Sequence, residues 1–150
     1  MPEQDDIFGE VISIYTRAQA IADGVLVDLS DLSFTFRPGL PILKEAGIKF
    51  PVAMTSAAFA RTVQDPDTDE PFPPGQDVSG RLWDVLTVFK LYARRNRGDI
   101  ILFPVSVQNW VRINGKRKTS VKQETVDLKA VCGPGDNAEP VITIMLPDED

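Results

Sequence analysis

The strongest periodicity in the chain lies in Val78–Asn96, "VSGRLWDVLTVFKLYARRN", where Leu82, Val85, Leu86, Phe89 and Ala93 fall at i, i+3, i+4, i+7 and i+11. Apolar residues at that spacing form one stripe of an α-helix. Trp83 and Tyr92 flank the stripe, so the segment predicts a long amphipathic helix that covers a sheet. Further on the period shortens to two. In Ser120–Cys132, "SVKQETVDLKAVC", Val126, Leu128, Ala130 and Cys132 alternate with Asp127 and Lys129, the pattern of a half-buried strand. Asp99–Ile113 predicts another strand, interrupted near Pro104 because proline has no N–H to give to a ladder. Between the two, Asn114-Gly115 is the dipeptide favoured by type I′ hairpins. Val141–Pro147 predicts a third strand after a "GPGDNAEP" turn, and "DED" closes the chain as an acidic tail.

The first half is built of shorter units. Residues 1–10 read as an acidic lead-in, and "VISIY" (Val11–Tyr15) as a strand. Thr16 caps a helix "RAQAIAD" with an apolar face of Ala18, Ile21 and Ala22, and Gly24 stops it. "VLVDLS" then runs extended. Asp31–Gly39 is less regular and ends in a Pro-Gly turn. Pro41–Gly47 is a short helix with proline near its start and glycine past its end. "IKFPVAMT" is extended, and Thr55 or Ser56 caps "AAFARTVQ". Residues 65–77, "DPDTDEPFPPGQD", hold four prolines and five acids, which predicts a mobile loop. The expected fold class is α+β: N-terminal short helices and strands, and one long amphipathic helix packed on a C-terminal antiparallel three-stranded meander.

Composition narrows the chemistry. The 150 residues suit one domain with a real core. No apolar run is long enough to span a membrane, and the acidic N-terminus is unlike a signal peptide, so the expected location is cytoplasmic with no membrane partner. Histidine is absent, which removes Ser-His-Asp and Cys-His catalysis and histidine-based metal sites. A single cysteine, Cys132, removes internal disulfides and Cys-only zinc sites. No cofactor, metal site or catalytic residue is assigned, while a carboxylate site for magnesium or calcium and catalysis by a carboxylate, Tyr or Lys stay open. The net charge of −6 divides unevenly: residues 81–132 hold 11 Lys and Arg against 4 Asp and Glu, or +7, leaving −13 elsewhere.

That division singles out a basic set. Arg94, Arg95 and Arg97 end the long helix, where the dipole favours cations, and Lys116, Arg117, Lys118 and Lys122 surround the hairpin turn. They suit phosphates or an acidic partner, with Trp110 placed to stack on a base. The plainer alternative is solvated surface that blocks edge pairing. A second candidate is the corner Tyr15, Thr16 and Arg17, where free amides at a helix start would hold an anion. Its plain alternative is a capped helix whose tyrosine packs in the core. The "CGPGDNAEP" turn offers Asp136 and Glu139 to a cation or substrate, or is simply a tight hairpin. Cys132 reads as a buried small hydrophobe, and Trp83 and Trp110 as packing anchors.

Two resemblances bear on function. The strand-Tyr, helix, Gly, strand order is loosely similar to the first motif of ADP-ribosyltransferase folds, which implies a nucleotide-ligand enzyme using Tyr15, Arg17 and a carboxylate such as Glu124. The stretches "YTRAQAIADGVLVDLS", "EAGIKFPVAMTSAAF", "GRLWDVL" and "CGPGDNAEPVITIMLPDED" together resemble a small bacterial family of unknown function, frequent on plasmids and integrative elements of proteobacteria. The chain departs from that family in "DLSFTFRPGLPIL". The resemblance carries no functional residues. It implies a cytosolic accessory protein of a mobile element, acting by binding in plasmid maintenance or against host defence. The leading expectation is therefore a non-enzymatic binding protein with a protein partner. Its acidic N-terminus, proline loop and tail would mimic nucleic-acid charge, and its hairpin face would engage a second partner. Direct DNA or RNA binding through the basic hairpin face is the other binding reading.

Overall fold

The computed structural model describes residues 15–64 and 72–150, and only the backbone of Phe36, Arg112 and residues 116–119. Thr16 opens helix α1 (Arg17–Ala22) with a reciprocal capping box: its hydroxyl accepts from the Gln19 N–H, and the Gln19 side chain accepts from the Thr16 N–H. Strand β1 (Leu26–Asp28) follows. β2 (Thr35–Arg37) and β3 (Leu40–Pro41) form a small hairpin turned by Pro38-Gly39, with Gly39 at φ +79°. Helix α2 (Ile42–Glu45) leads to β4 (Val52–Thr55), and the Thr55 hydroxyl caps α3 (Ser56–Thr62). Asp77 caps the long helix α4 (Val78–Ala93) by accepting from the Gly80 N–H. β5 (Ile100–Ile113), β6 (Lys116–Pro134) and β7 (Pro140–Met145) complete the described helices and strands.

The main sheet runs β1-β4-β7-β6-β5. β4 and β7 are parallel, and the other pairs are antiparallel. The expected three-stranded meander is thus not a self-contained sheet, because β7 also pairs with β4 and the sheet is five-stranded and mixed. Val52, Ala53 and Met54 of β4 are buried on both faces, as a central strand requires. Four residues without alternation did not mark β4 as the strand that joins the two halves.

The apolar stripe of α4 behaves as its period predicts. Leu82, Val85, Leu86 and Phe89 are buried against Ile101, Phe103, Val105 and Val107 of β5 and Val126, Leu128 and Ala130 of β6. Phe89 and Phe103 pack with their rings tilted at 55° and their centroids 5.7 Å apart. The expected break at Pro104 does not occur: Pro104 pairs with Asp127 inside an unbroken β5. β5 is the sheet edge, where a strand can lack one N–H without losing a ladder bond. The irregularity lies further along, between Trp110 and Arg112.

Three other expectations change. In α1 the buried residue is Ala20, while Ala18 and Ala22 are exposed, because Arg17 turns the helix toward β7. The "DED" tail is partly fastened: the Glu149 carboxylate accepts from the Thr55 hydroxyl at 2.6 Å and the Leu146 N–H at 2.8 Å. Tyr15 has no strand conformation, and the rest of Val11–Tyr15, the lead-in 1–10 and residues 65–71 of the proline loop lie outside the described residues. Among the described residues no helix is long and apolar enough to cross a membrane.

Candidate functional site

The type I′ turn forms as its dipeptide predicts, with Asn114 at φ 54° and Gly115 at φ 77°. It closes a two-stranded ribbon that extends past the core. Val107 on β5 and Val126 on β6 are the last buried positions, and no described residue between them is buried. Trp110 pairs with Val121 and Arg112 with Arg117, so β6 carries two more residues than β5 across the bulge. Residues 100–123 contain five cations, Arg112, Lys116, Arg117, Lys118 and Lys122, and no carboxylate. The side chains of Lys116, Arg117 and Lys118 lie outside the described residues. Lys122 is engaged with Glu124 at 2.9 Å, and that contact, ahead of the Asn109 hydrogen bond, holds the Glu124 carboxyl below its ordinary range.

The structure does not bring the whole basic set together. Arg94, Arg95 and Arg97 follow α4 and precede Ile100, whereas the hairpin residues begin after Ile113. Thirteen residue steps of extended strand separate the two groups by about 40 Å. Trp110 and Lys122 belong with the ribbon. The Arg cluster stays at the other end, where cations favour a helix C-terminus.

The Tyr15-Thr16-Arg17 corner is assembled, but for a different purpose. The amides expected to be free are taken: the Arg17 N–H donates to Asp136 Oδ1 at 2.8 Å and the Ala18 N–H to Asp136 Oδ2 at 3.0 Å. The carboxylate sits at the positive end of α1 and replaces the anion proposed for that place. The Arg17 guanidinium donates to Thr143 Oγ1 at 2.7 Å and to the Ile142 carbonyl at 2.8 Å, and burial is the main cause of its lowered pKa. Tyr15 is 56% exposed rather than packed in the core, and its hydroxyl donates to Asp23 at 2.7 Å. That hydrogen bond, more than desolvation, pushes the phenol pKa up. The opening unit and the "CGPGDNAEP" turn, separate in the sequence, form one clamp that fixes α1 on β7. Asp136→Ala should lower stability by about 1–2 kcal/mol through the lost cap. Urea unfolding checks this, and Asp136→Asn should recover part of the loss.

Tyr15, Arg17 and Glu124 do not converge. Glu124 alternates in phase with Val126, Leu128 and Ala130, on the face covered by α3 and α4, and it feels Arg61 of α3. Thr143, which Arg17 touches, pairs with Val131 in the opposite phase. The seven residue steps of β6 from Glu124 to Val131 add a separation of about 23 Å. No group of three or more His, Cys, Asp or Glu among the described residues is placed to hold a metal.

Two anchors were missed in the sequence. Asp136 acts across 118 and 119 residues, a separation that no local pattern encodes. Arg81 is only 4% exposed at the start of α4 and donates to the Gln108 carbonyl and to Asn109 Oδ1. The guanidinium also lies 4.8 Å from the Phe72 ring centroid. A charged residue one position before Leu82, beside the apolar stripe, was the available signal.

The described residues define a small mixed α/β protein: a five-stranded sheet with α3 and α4 on one face, α1 on the other, and a basic ribbon leaving one corner. The chain belongs to DUF6573, a family of unknown function whose model matches residues 6–150. No curated protein and no solved structure matches it.

Proposed function

We propose that the protein is a non-enzymatic binding protein whose contact element is the distal β5–β6 ribbon, and that its target is the polyanionic surface of a nucleic acid. The observation that carries this reading is a projecting two-stranded ribbon with five cations against one carboxylate, Glu124, which is paired with Lys122 at its root. A two-stranded ribbon fits the width of a B-DNA major groove. The chain as a whole is at −6, so without those five cations the remainder is at −11. A polyanion repels that body and attracts the ribbon, which orients the approach. Trp110 lies at the root of the ribbon, within reach of a base or sugar. Service to a mobile element, in plasmid maintenance or against host defence, belongs to this proposal and rests on the sequence resemblance.

Fluorescence anisotropy with a short DNA duplex tests it. The logarithm of the association constant should fall against the logarithm of salt with a slope between about −3 and −5, as expected for contacts from most of the five cations. Absence of binding at low salt would overturn the nucleic-acid target and favour an acidic protein partner.

A further inference from the structure

We infer a second binding site, independent of the ribbon, that takes a small amphipathic anion: an apolar body with one carboxylate or similar head. It is a cleft of about 500 Å³ at the far end of the sheet, between the C-terminal turn of α4, the segment before β4 and the start of β7. Its volume lies within the range of small-ligand sites. The floor is apolar, made by Phe89, Ile101 and Ile142, with Cys132 half-buried beside them. Desolvation, and then the charge of Asp99, push the Cys132 thiol up, so the sulfur serves as part of the apolar wall.

The charged side chains that line the rim are all cations, and the carboxylate of Asp99 lies outside the lining, near Cys132. Lys49, Lys90 and Arg97 line the cleft, and no carboxylate does. Lys90 Nζ donates to the Ala46 carbonyl at 2.8 Å, which fixes the ammonium while leaving two of its donors. Among the described residues Lys49 and Arg97 have no hydrogen-bond or ion-pair partner. The negative end of α4 also points here, but Asn96 Nδ2 caps the Tyr92 carbonyl at 2.8 Å and the Arg94 N–H caps that of Lys90. An anionic head therefore meets free cations above a surface that prefers hydrocarbon. The apolar floor favours burial of the body, and charge-assisted bonds at the rim select the head. A neutral ligand of the same shape gains only the first term.

Phenylbutyrate and its alcohol, phenylbutanol, separate the two terms when titrated into the full chain and followed by amide NMR shifts. Phenylbutyrate should move the amides of Gly47–Phe50, Asn96–Gly98 and Cys132, and should bind at least about tenfold tighter than phenylbutanol. Lys49→Gln and Arg97→Gln should each weaken phenylbutyrate about five- to tenfold and change phenylbutanol less than about twofold. Both residues are exposed and have no partner among the described residues, so thermal unfolding should not move. Equal affinity for acid and alcohol, undiminished acid binding by the double variant, or shifts confined to other surfaces would each overturn the site. Duplex binding should be unchanged in the double variant, so loss of the ribbon's function and loss of this site are distinguishable.

Discussion

Reversing Lys116, Arg117 and Lys118 together to glutamate is expected to weaken duplex binding at low salt by at least about a hundredfold, and to make the salt slope shallower by about three. Each lost phosphate contact removes about 1 kcal/mol, and each introduced carboxylate adds repulsion from the backbone it faces. The three residues lie beyond Val107 and Val126, the last buried positions of β5 and β6, so the core does not depend on them. Thermal unfolding of the variant should match the parent within about 2 °C. Reversal of Arg94, Arg95 and Arg97 is the internal control. Those residues sit about 40 Å away along β5, so the same charge change there should cost much less affinity. Equal losses from the two triple variants would mean that the target responds to overall charge and not to the ribbon.

That contrast marks what the sequence could carry and what it could not. Elements whose information is local were legible. The stripe of α4, the alternation of β6, the Asn114-Gly115 turn and the Thr16 and Thr55 caps each depend on residues within a turn or two, and each formed. Sheet order was not legible, because pairing β4 in parallel with β7 joins Val52 to Ile142 across ninety residues. The candidate sites divided in the same way. The ribbon's charge is close together in sequence and stayed together, while the arginine cluster after α4 was separated from it by a strand whose length the expected break at Pro104 had concealed. The Tyr15-Thr16-Arg17 corner failed as an anion site for a long-range reason: its amides were satisfied by Asp136, from the turn that precedes β7.

Arg81→Met should lower the stability of the folded chain by about 2–3 kcal/mol, which shifts the thermal midpoint by roughly 5–10 °C. Methionine keeps most of the volume and loses the donors, so the change isolates the polar contribution. Arg81 Nη2 donates to the Gln108 carbonyl at 2.5 Å and to Asn109 Oδ1 at 3.2 Å, and Nε donates to Gln76 Oε1 at 3.3 Å. These bonds fasten the first turn of α4 to β5 at the point where the ribbon leaves the core. Its removal should therefore be felt unevenly. Amide hydrogen exchange should accelerate most from Asn109 to Ile113 and from Lys116 to Lys122, while Val126–Cys132 keep their protection under α4. Arg81→Lys keeps the charge but not the planar fork, and should recover less than half of the lost stability. If the ribbon binds as proposed, Arg81→Met should also weaken duplex affinity, by the cost of ordering a root that the parent chain holds ready. Unchanged exchange in the ribbon would mean that its geometry is set by the β5–β6 ladder alone, and that Arg81 stabilises α4 without positioning the contact element.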